Sequence, residues 1–148
     1  MKDYEINEET FCLLPNGEHT KVVEKDKIFI VEKNVQKIME NSCEYYGSTY
    51  EGRKKGTTKL TGITHKVPII IEESNSIIFF PTKSSRLKDC SWISLNNLKN
   101  YYKSADKIIL EFYDNQKISL DISYGVINNQ ILRASRLDAV LRTRKLKK

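Results

Sequence analysis

The stretch that most constrains the fold of this chain runs from Lys107 to Ile122. Ile108, Leu110 and Phe112 alternate with Ile109, Glu111 and Tyr113, and after Asp114-Asn115-Gln116 the residues Ile118, Leu120 and Ile122 alternate with polar ones. A period of two sends every second side chain to one face, so the spacing predicts an antiparallel hairpin of strands 107–113 and 117–122. The period then changes at once. From Tyr124 to Arg144, behind Ser123 as a cap, Ile127, Ile131, Ala134, Leu137 and Leu141 recur at helical spacing, with Arg133 and Arg136 on the other face. A one-faced hairpin followed by a one-striped helix needs mixed layers, which points to α+β.

The rest of the chain reads the same way. Residues 3–7 and 10–14 read as short strands around Asn7 and Glu8, and Pro15-Asn16-Gly17 as a turn. Residues 20–24 and 27–32 read as a hairpin across Lys25-Asp26, with Ile28, Ile30 and Val31 partly buried. Asn34 caps a predicted helix from Val35 to about Tyr46, whose Val35, Ile38, Met39, Cys43 and Tyr46 share a face, and Gly47 stops it. Ser48 and Glu51 form an S-x-x-E capping box, so 49–55 reads as a short second helix, weakened by Gly52 and ended by Gly56. Residues 68–72 and 77–80 read as apolar strands, Pro81 ends the second, and 91–95 returns to strand. The expected architecture is a single domain over 1–148. It has antiparallel β-sheet, a helix-turn insertion near residues 35–56, a C-terminal helix, and a frayed basic tail at 142–148.

Several function classes drop out. With 39% hydrophobic and 30% charged residues the chain reads as a soluble globular protein. Its first residues lack the apolar region of a signal peptide, and Ile69-Ile70-Ile71 is far too short to span a bilayer. Cys12, Cys43 and Cys90 are odd in number and far apart, and read as reduced, mostly buried cytosolic thiols. There is no H-E-x-x-H, G-x-x-x-x-G-K-[ST] or G-x-G-x-x-G. Glu72-Glu73 would suit a metal-dependent nuclease only with further matched carboxylates, and the spacing marks none. No catalytic residue, metal ligand or cofactor is therefore expected, and His65, Phe80 and Trp92 are assigned to structure.

Charge is more telling. Residues 1–51 carry 6 basic and 11 acidic side chains, and residues 52–148 carry 19 basic and 8 acidic. The cations of the basic part gather in short runs. Tyr45 to Lys59 packs aromatics, hydroxyls, glycines and Arg53, Lys54, Lys55 and Lys59 around one acid, Glu51, with Lys66 following. The run Thr82-Lys83-Ser84-Ser85-Arg86-Leu87-Lys88 adds three cations and no acid. Such runs are costly to bury and well suited to phosphates: cations attract, hydroxyls and amides donate, and glycines let the backbone come close. No basic helix shows the bulky exposed apolar face that a membrane surface would need. The candidate contacts to duplex DNA are Tyr50, Arg53, Lys54, Lys55, Thr57, Lys59 and Lys66, with Lys83, Ser84 and Arg86 as a second cluster converging on the first. Arg53 is the first choice for insertion into a groove and the lysines for phosphates. The rival reading is a protein-interaction module, a truncated or regulatory partner of a longer activator.

Four segments in order carry a resemblance: Tyr46 to Thr57, His65-Lys66-Val67-Pro68-Ile69, Phe80-Pro81-Thr82-Lys83-Ser84-Ser85, and Cys90-Ser91-Trp92-Ile93-Ser94. Together, with weaker similarity from Tyr4 onward, they resemble the ComK family of competence transcription factors of low-GC Gram-positive bacteria. The resemblance implies a cytoplasmic, nucleoid-associated activator of DNA-uptake and recombination genes and of its own gene. It also implies binding to paired AT-rich boxes through the minor groove, dimers that assemble in pairs, and contact with RNA polymerase. Neither cofactor nor metal is implied. One branch of the family carries a tail motif read by an adaptor to a Clp protease. This sequence ends at Lys148 in a basic run without it, so adaptor-led proteolysis, and any assembly built on that tail, are not carried over. The apolar stripe of the last helix is then the expected dimer surface.

Overall fold

The computed structural model describes residues 1–146. The elements follow in the order β1 (Thr10–Asn16), β2 (His19–Glu24), β3 (Lys27–Val31), α1 (Val35–Tyr45), α2 (Tyr50–Thr61), β4 (Ile69–Glu72), β5 (Ile77–Pro81), β6 (Trp92–Ser94), β7 (Leu98–Ser104), β8 (Lys107–Phe112), β9 (Lys117–Leu120) and α3 (Tyr124–Leu146). The architecture is α+β, as expected. One sheet has the strand order β3-β2-β1-β6-β5-β4, the other β7-β8-β9, and every neighbouring pair is antiparallel.

The larger sheet is covered on both faces, which explains its unbroken apolar strands. Ile69, Ile71, Ile77, Phe79 and Trp92 join Val35, Ile38, Met39 and Cys43 of α1 in one core. Ile70, Ile78, Phe80 and Ile93 join Ile108, Leu110 and Phe112 of β8 and Ile127, Ala134, Leu137 and Leu141 of α3 in the other. A bulge between Thr10 and Cys12 puts Phe11 and Cys12 in the same second core, where Phe11 stacks on Phe112 at 4.9 Å. The stripe on α3 is thus spent inside its own chain. It is not a dimer surface.

Several expectations need correction. Residues 3–7 form no strand: Ile6 N donates to Ser42 Oγ at 3.0 Å instead of to a ladder partner. Ile28 and Ile30 are exposed, because only the alternate residues Phe29 and Val31 of β3 pack into the α1 core. The Gly17–Glu18 turn follows Asn16, which itself ends β1. The helix after Gly47 is capped by Thr49 and not Ser48, and it runs past Gly56 to a left-handed Gly62. β7 lies in a stretch that showed no strand pattern. The tail is helical as far as Leu146, held by Arg142 Nε on Asp138 Oδ2 at 3.0 Å and by Lys145 Nζ on the carbonyl of Glu73 at 2.9 Å. Lys147 and Lys148 lie outside the described residues. Among the described residues, no helix is long and apolar enough to cross a membrane.

Candidate nucleic-acid interface

α2 carries Arg53, Lys54, Lys55 and Lys59, four of the seven basic candidate contacts. Thr49 Oγ1 accepts from Gly52 N at 2.9 Å, and Glu51 in the first turn suits the positive end of the helix. Its inner face is Tyr50, Thr57 and Thr61. Tyr50 is 6% exposed and sets its ring edge-on to Trp92, 6.1 Å between centroids. Thr57 is fully buried and donates to the carbonyl of Pro68 at 2.9 Å. These packed partners carry the helix beyond Gly56, where local propensity alone would end it. They also take Tyr50 and Thr57 out of the set of surface contacts. An aromatic and a hydroxyl in a basic run read as ligands, but both face the core.

The outer face of α2 shows Lys55 and Lys59 to solvent, while Arg53 and Lys54 sit half-buried on its flanks. The two flanks open into different grooves. On one, Lys54 shares a groove with Arg86 and Lys88, floored by Tyr50, Cys90 and Trp92. On the other, Arg53 lies with Arg144 and Lys145 of α3, and its Nε is enclosed without a hydrogen-bond partner. Arg53 and Arg86 therefore do not meet in one groove, and the expected convergence of the two clusters on Arg53 is not what the fold shows.

Arg86 also lines a third groove, of about 510 Å³, formed by His65, Lys66, Thr82, Lys83, Ser84, Arg86, Ile122, Ser123 and Val126. Here Lys66, which follows the first basic run, meets the second run, while Arg53, Lys54, Lys55 and Lys59 of α2 line no part of it. Lys66 comes from the α2–β4 connection, where it adopts the left-handed conformation (φ 48°). Lys83, Ser84 and Arg86 come from the β5–β6 loop. The far wall is the start of α3, where Ser123 Oγ accepts from Val126 N at 3.2 Å. The N-terminus of a long helix carries partial positive charge and free amides, so this wall also favours an anion.

Two features of this groove were not legible in the runs themselves. Gln130 of α3, 1% exposed, donates from Nε2 to the carbonyls of Lys66 (3.0 Å) and Pro81 (2.7 Å). It ties the Lys66 turn to the strand end that launches the basic loop. Arg133, expected on the free face of the helix, instead donates to the carbonyl of His65 at 2.7 Å. A buried glutamine three residues after Ile127 on the apolar stripe is the signal that could have exposed this tie.

The loop is also less uniformly cationic than its sequence. Lys83 is paired with Asp89 just beyond the run, which holds the lysine pKa above its usual value, and Lys88 lies 4.0 Å from Glu18. Arg86 is exposed and forms no ion pair with a described residue. His65 is exposed, whereas Phe80 and Trp92 are core, as assigned. Glu72 is engaged in closing the β4–β5 turn, its carboxylate accepting from Asn75 N at 3.0 Å. Among the described residues no cluster of three His, Cys, Asp or Glu could hold a metal ion.

The comparisons agree with the pattern of segments. The chain matches the family described as ComK protein over residues 1–146. It is similar to a competence transcription factor of Bacillus subtilis (strain 168), 37% identical over 140 residues that span 91% of this chain and 73% of the relative. No solved structure matches it.

Proposed function

From the fact that the chain belongs to the ComK family, we propose that it is a transcription activator of competence genes that binds duplex DNA through the groove of Lys66, Lys83, Ser84 and Arg86. The observation that carries this reading is the convergence of those four side chains with the positive end of α3 on one concave surface. Lys54, beside Arg86 in the adjoining groove, and the exposed Lys55 and Lys59 extend the surface along α2. Hydroxyls and helix amides would donate to phosphate oxygens, and the lysines would neutralise them.

The sequences it prefers are AT-rich boxes, read in the minor groove. An α-helix about 10 Å across does not fit a minor groove about 6 Å wide. A loop arginine does, and a narrow A·T furrow attracts it. The insertion is therefore assigned to Arg86 rather than to Arg53, whose flank faces α3. Two copies present two such arginines to paired boxes, with a dimer interface outside α3. The acidic first 51 residues are left for protein partners, RNA polymerase among them, in a nucleoid-associated protein of the cytoplasm.

Gel shifts on AT-box and GC-rich duplexes across a salt series test this. Arg86→Ala is expected to remove the AT preference at about 1–3 kcal/mol, and Lys55→Ala to weaken both duplexes alike. Equal losses for both variants on both duplexes would refute the division of roles. Binding to neither duplex would leave a protein-interaction module.

A further inference from the structure

The groove on the other side of Arg86 encloses about 560 Å³. Its floor is apolar and aromatic: Tyr50 (6% exposed), Trp92 (1%) and Cys90 (3%). Leu87 stands on its wall 52% exposed, with Val35 and Pro15 nearby. The size and mixed lining are those of small-molecule sites, which run from about 300 to 1,000 Å³. A bare phosphate backbone has no use for such a floor.

The charges on the rim choose the ligand. Lys88 lies 4.0 Å from Glu18 across the mouth, leaving Lys54 and Arg86 against Glu51. Neither Lys54 nor Arg86 forms an ion pair with a described residue. One positive charge is in surplus beside an apolar floor. We propose that this groove binds a small organic acid, an aromatic or acyl body carrying a single anionic head, with the body over Tyr50, Leu87 and Trp92 and the head on Lys54 and Arg86. Arg86 lines both grooves, and its guanidinium cannot serve both at once. The acid therefore draws Arg86 off the DNA surface and acts as a negative effector. This second half rests on the DNA reading given above; the binding itself does not.

Trp92 is the single tryptophan, so the site reports on itself. The probe is 1-anilinonaphthalene-8-sulfonate, an aromatic monoanion, titrated against the folded chain with energy transfer from Trp92 as the signal. Its neutral counterpart is N-phenyl-1-naphthylamine. The expected result is saturable one-to-one transfer, with the anion bound more tightly than the neutral probe. Lys54→Gln should lower the affinity for the anion about tenfold, the loss of one charge-assisted contact, and leave the neutral probe unchanged. Gln36→Tyr, which adds bulk to the wall that α1 gives this groove, should weaken both probes. Saturating the site with the anion should weaken an AT-box duplex at least about fivefold. Equal affinity for the two probes, or an unchanged Lys54→Gln protein, overturns the site. Bound probe with undiminished DNA affinity overturns the coupling. A chain that binds the probe but no duplex in its absence overturns the DNA reading and leaves the site; one that binds duplex but transfers nothing to the probe does the reverse.

Discussion

Gln130→Met separates the architecture of the basic groove from its charge. Methionine matches the length of glutamine and adds no charge, but it donates no hydrogen bond. Two acceptors lose their donor: the carbonyl of Pro81, which is buried, and that of Lys66, which is partly so. The contact from Arg133 Nη1 to Gln130 Oε1, long at 3.4 Å, goes as well. A buried polar group left unpaired costs about 1–3 kcal/mol, so the two carbonyls together predict about 2–4 kcal/mol, Lys66 counting for less because water reaches it. Lys66 also stands at φ 48°, a conformation that non-glycine residues hold only when their surroundings enforce it. Released from Gln130, the turn relaxes and Lys66 leaves the groove. Urea unfolding followed by fluorescence of Trp92 measures the first effect, and fluorescence anisotropy of a labelled AT-box duplex the second. The account predicts a lower midpoint with unchanged slope and about three- to tenfold weaker DNA binding at a temperature where the variant is fully folded. An unshifted midpoint with unaltered DNA affinity would refute the claim that Gln130 positions the groove.

Thr57→Val keeps the shape of the side chain and removes the donor to Pro68, so it should cost about 1–2 kcal/mol in urea unfolding and leave the DNA affinity of the folded protein unchanged, since Thr57 touches no solvent. Selective loss of DNA binding at full stability would return Thr57 to the contact set. The cysteines should be silent. Burial pushes the Cys43 thiol up to about 11 and raises Cys12 and Cys90 as well, so at neutral pH all three stay protonated, and iodoacetamide should label the enclosed Cys12 and Cys43 only as fast as the chain opens and Cys90, on the groove floor, slowly for want of thiolate. Rapid stoichiometric labelling of the native protein, read by mass spectrometry, would contradict this.

The period-two runs of β8 and β9 and the helical stripes of α1 and α3 were legible because each buries one face, and one-faced burial writes its period into the sequence. β7 was not. Leu98-Lys99-Asn100-Tyr101-Tyr102-Lys103 is an edge strand with a bulge between Leu98 and Asn100, so its pattern slips and its outer residues are polar. The end of α2 was misjudged because Gly56 is a local signal, whereas Thr57 and Thr61 are anchored by tertiary contacts. Tyr50, Thr57 and Thr61 stand seven and four apart, an inward stripe hidden by its polar hydroxyls. At the site, the cations themselves were legible as runs. Which of them share a groove was not, because that depends on Ser123 just ahead of α3 and on Gln130 and Arg133 within it, remote in sequence, and on Asp89 and Glu18, which engage two of the loop cations.

The salt dependence of duplex binding tests the central claim most directly. If Lys54, Lys55, Lys59, Lys66 and Lys83 each neutralise one phosphate, counterion release predicts that log Kobs for an AT-box duplex falls with log[KCl] at a slope of roughly −4.5, and that Lys66→Ala makes the slope shallower by about 1. A slope near zero, or one that Lys66→Ala leaves untouched, would contradict a phosphate-binding groove at this place in the fold.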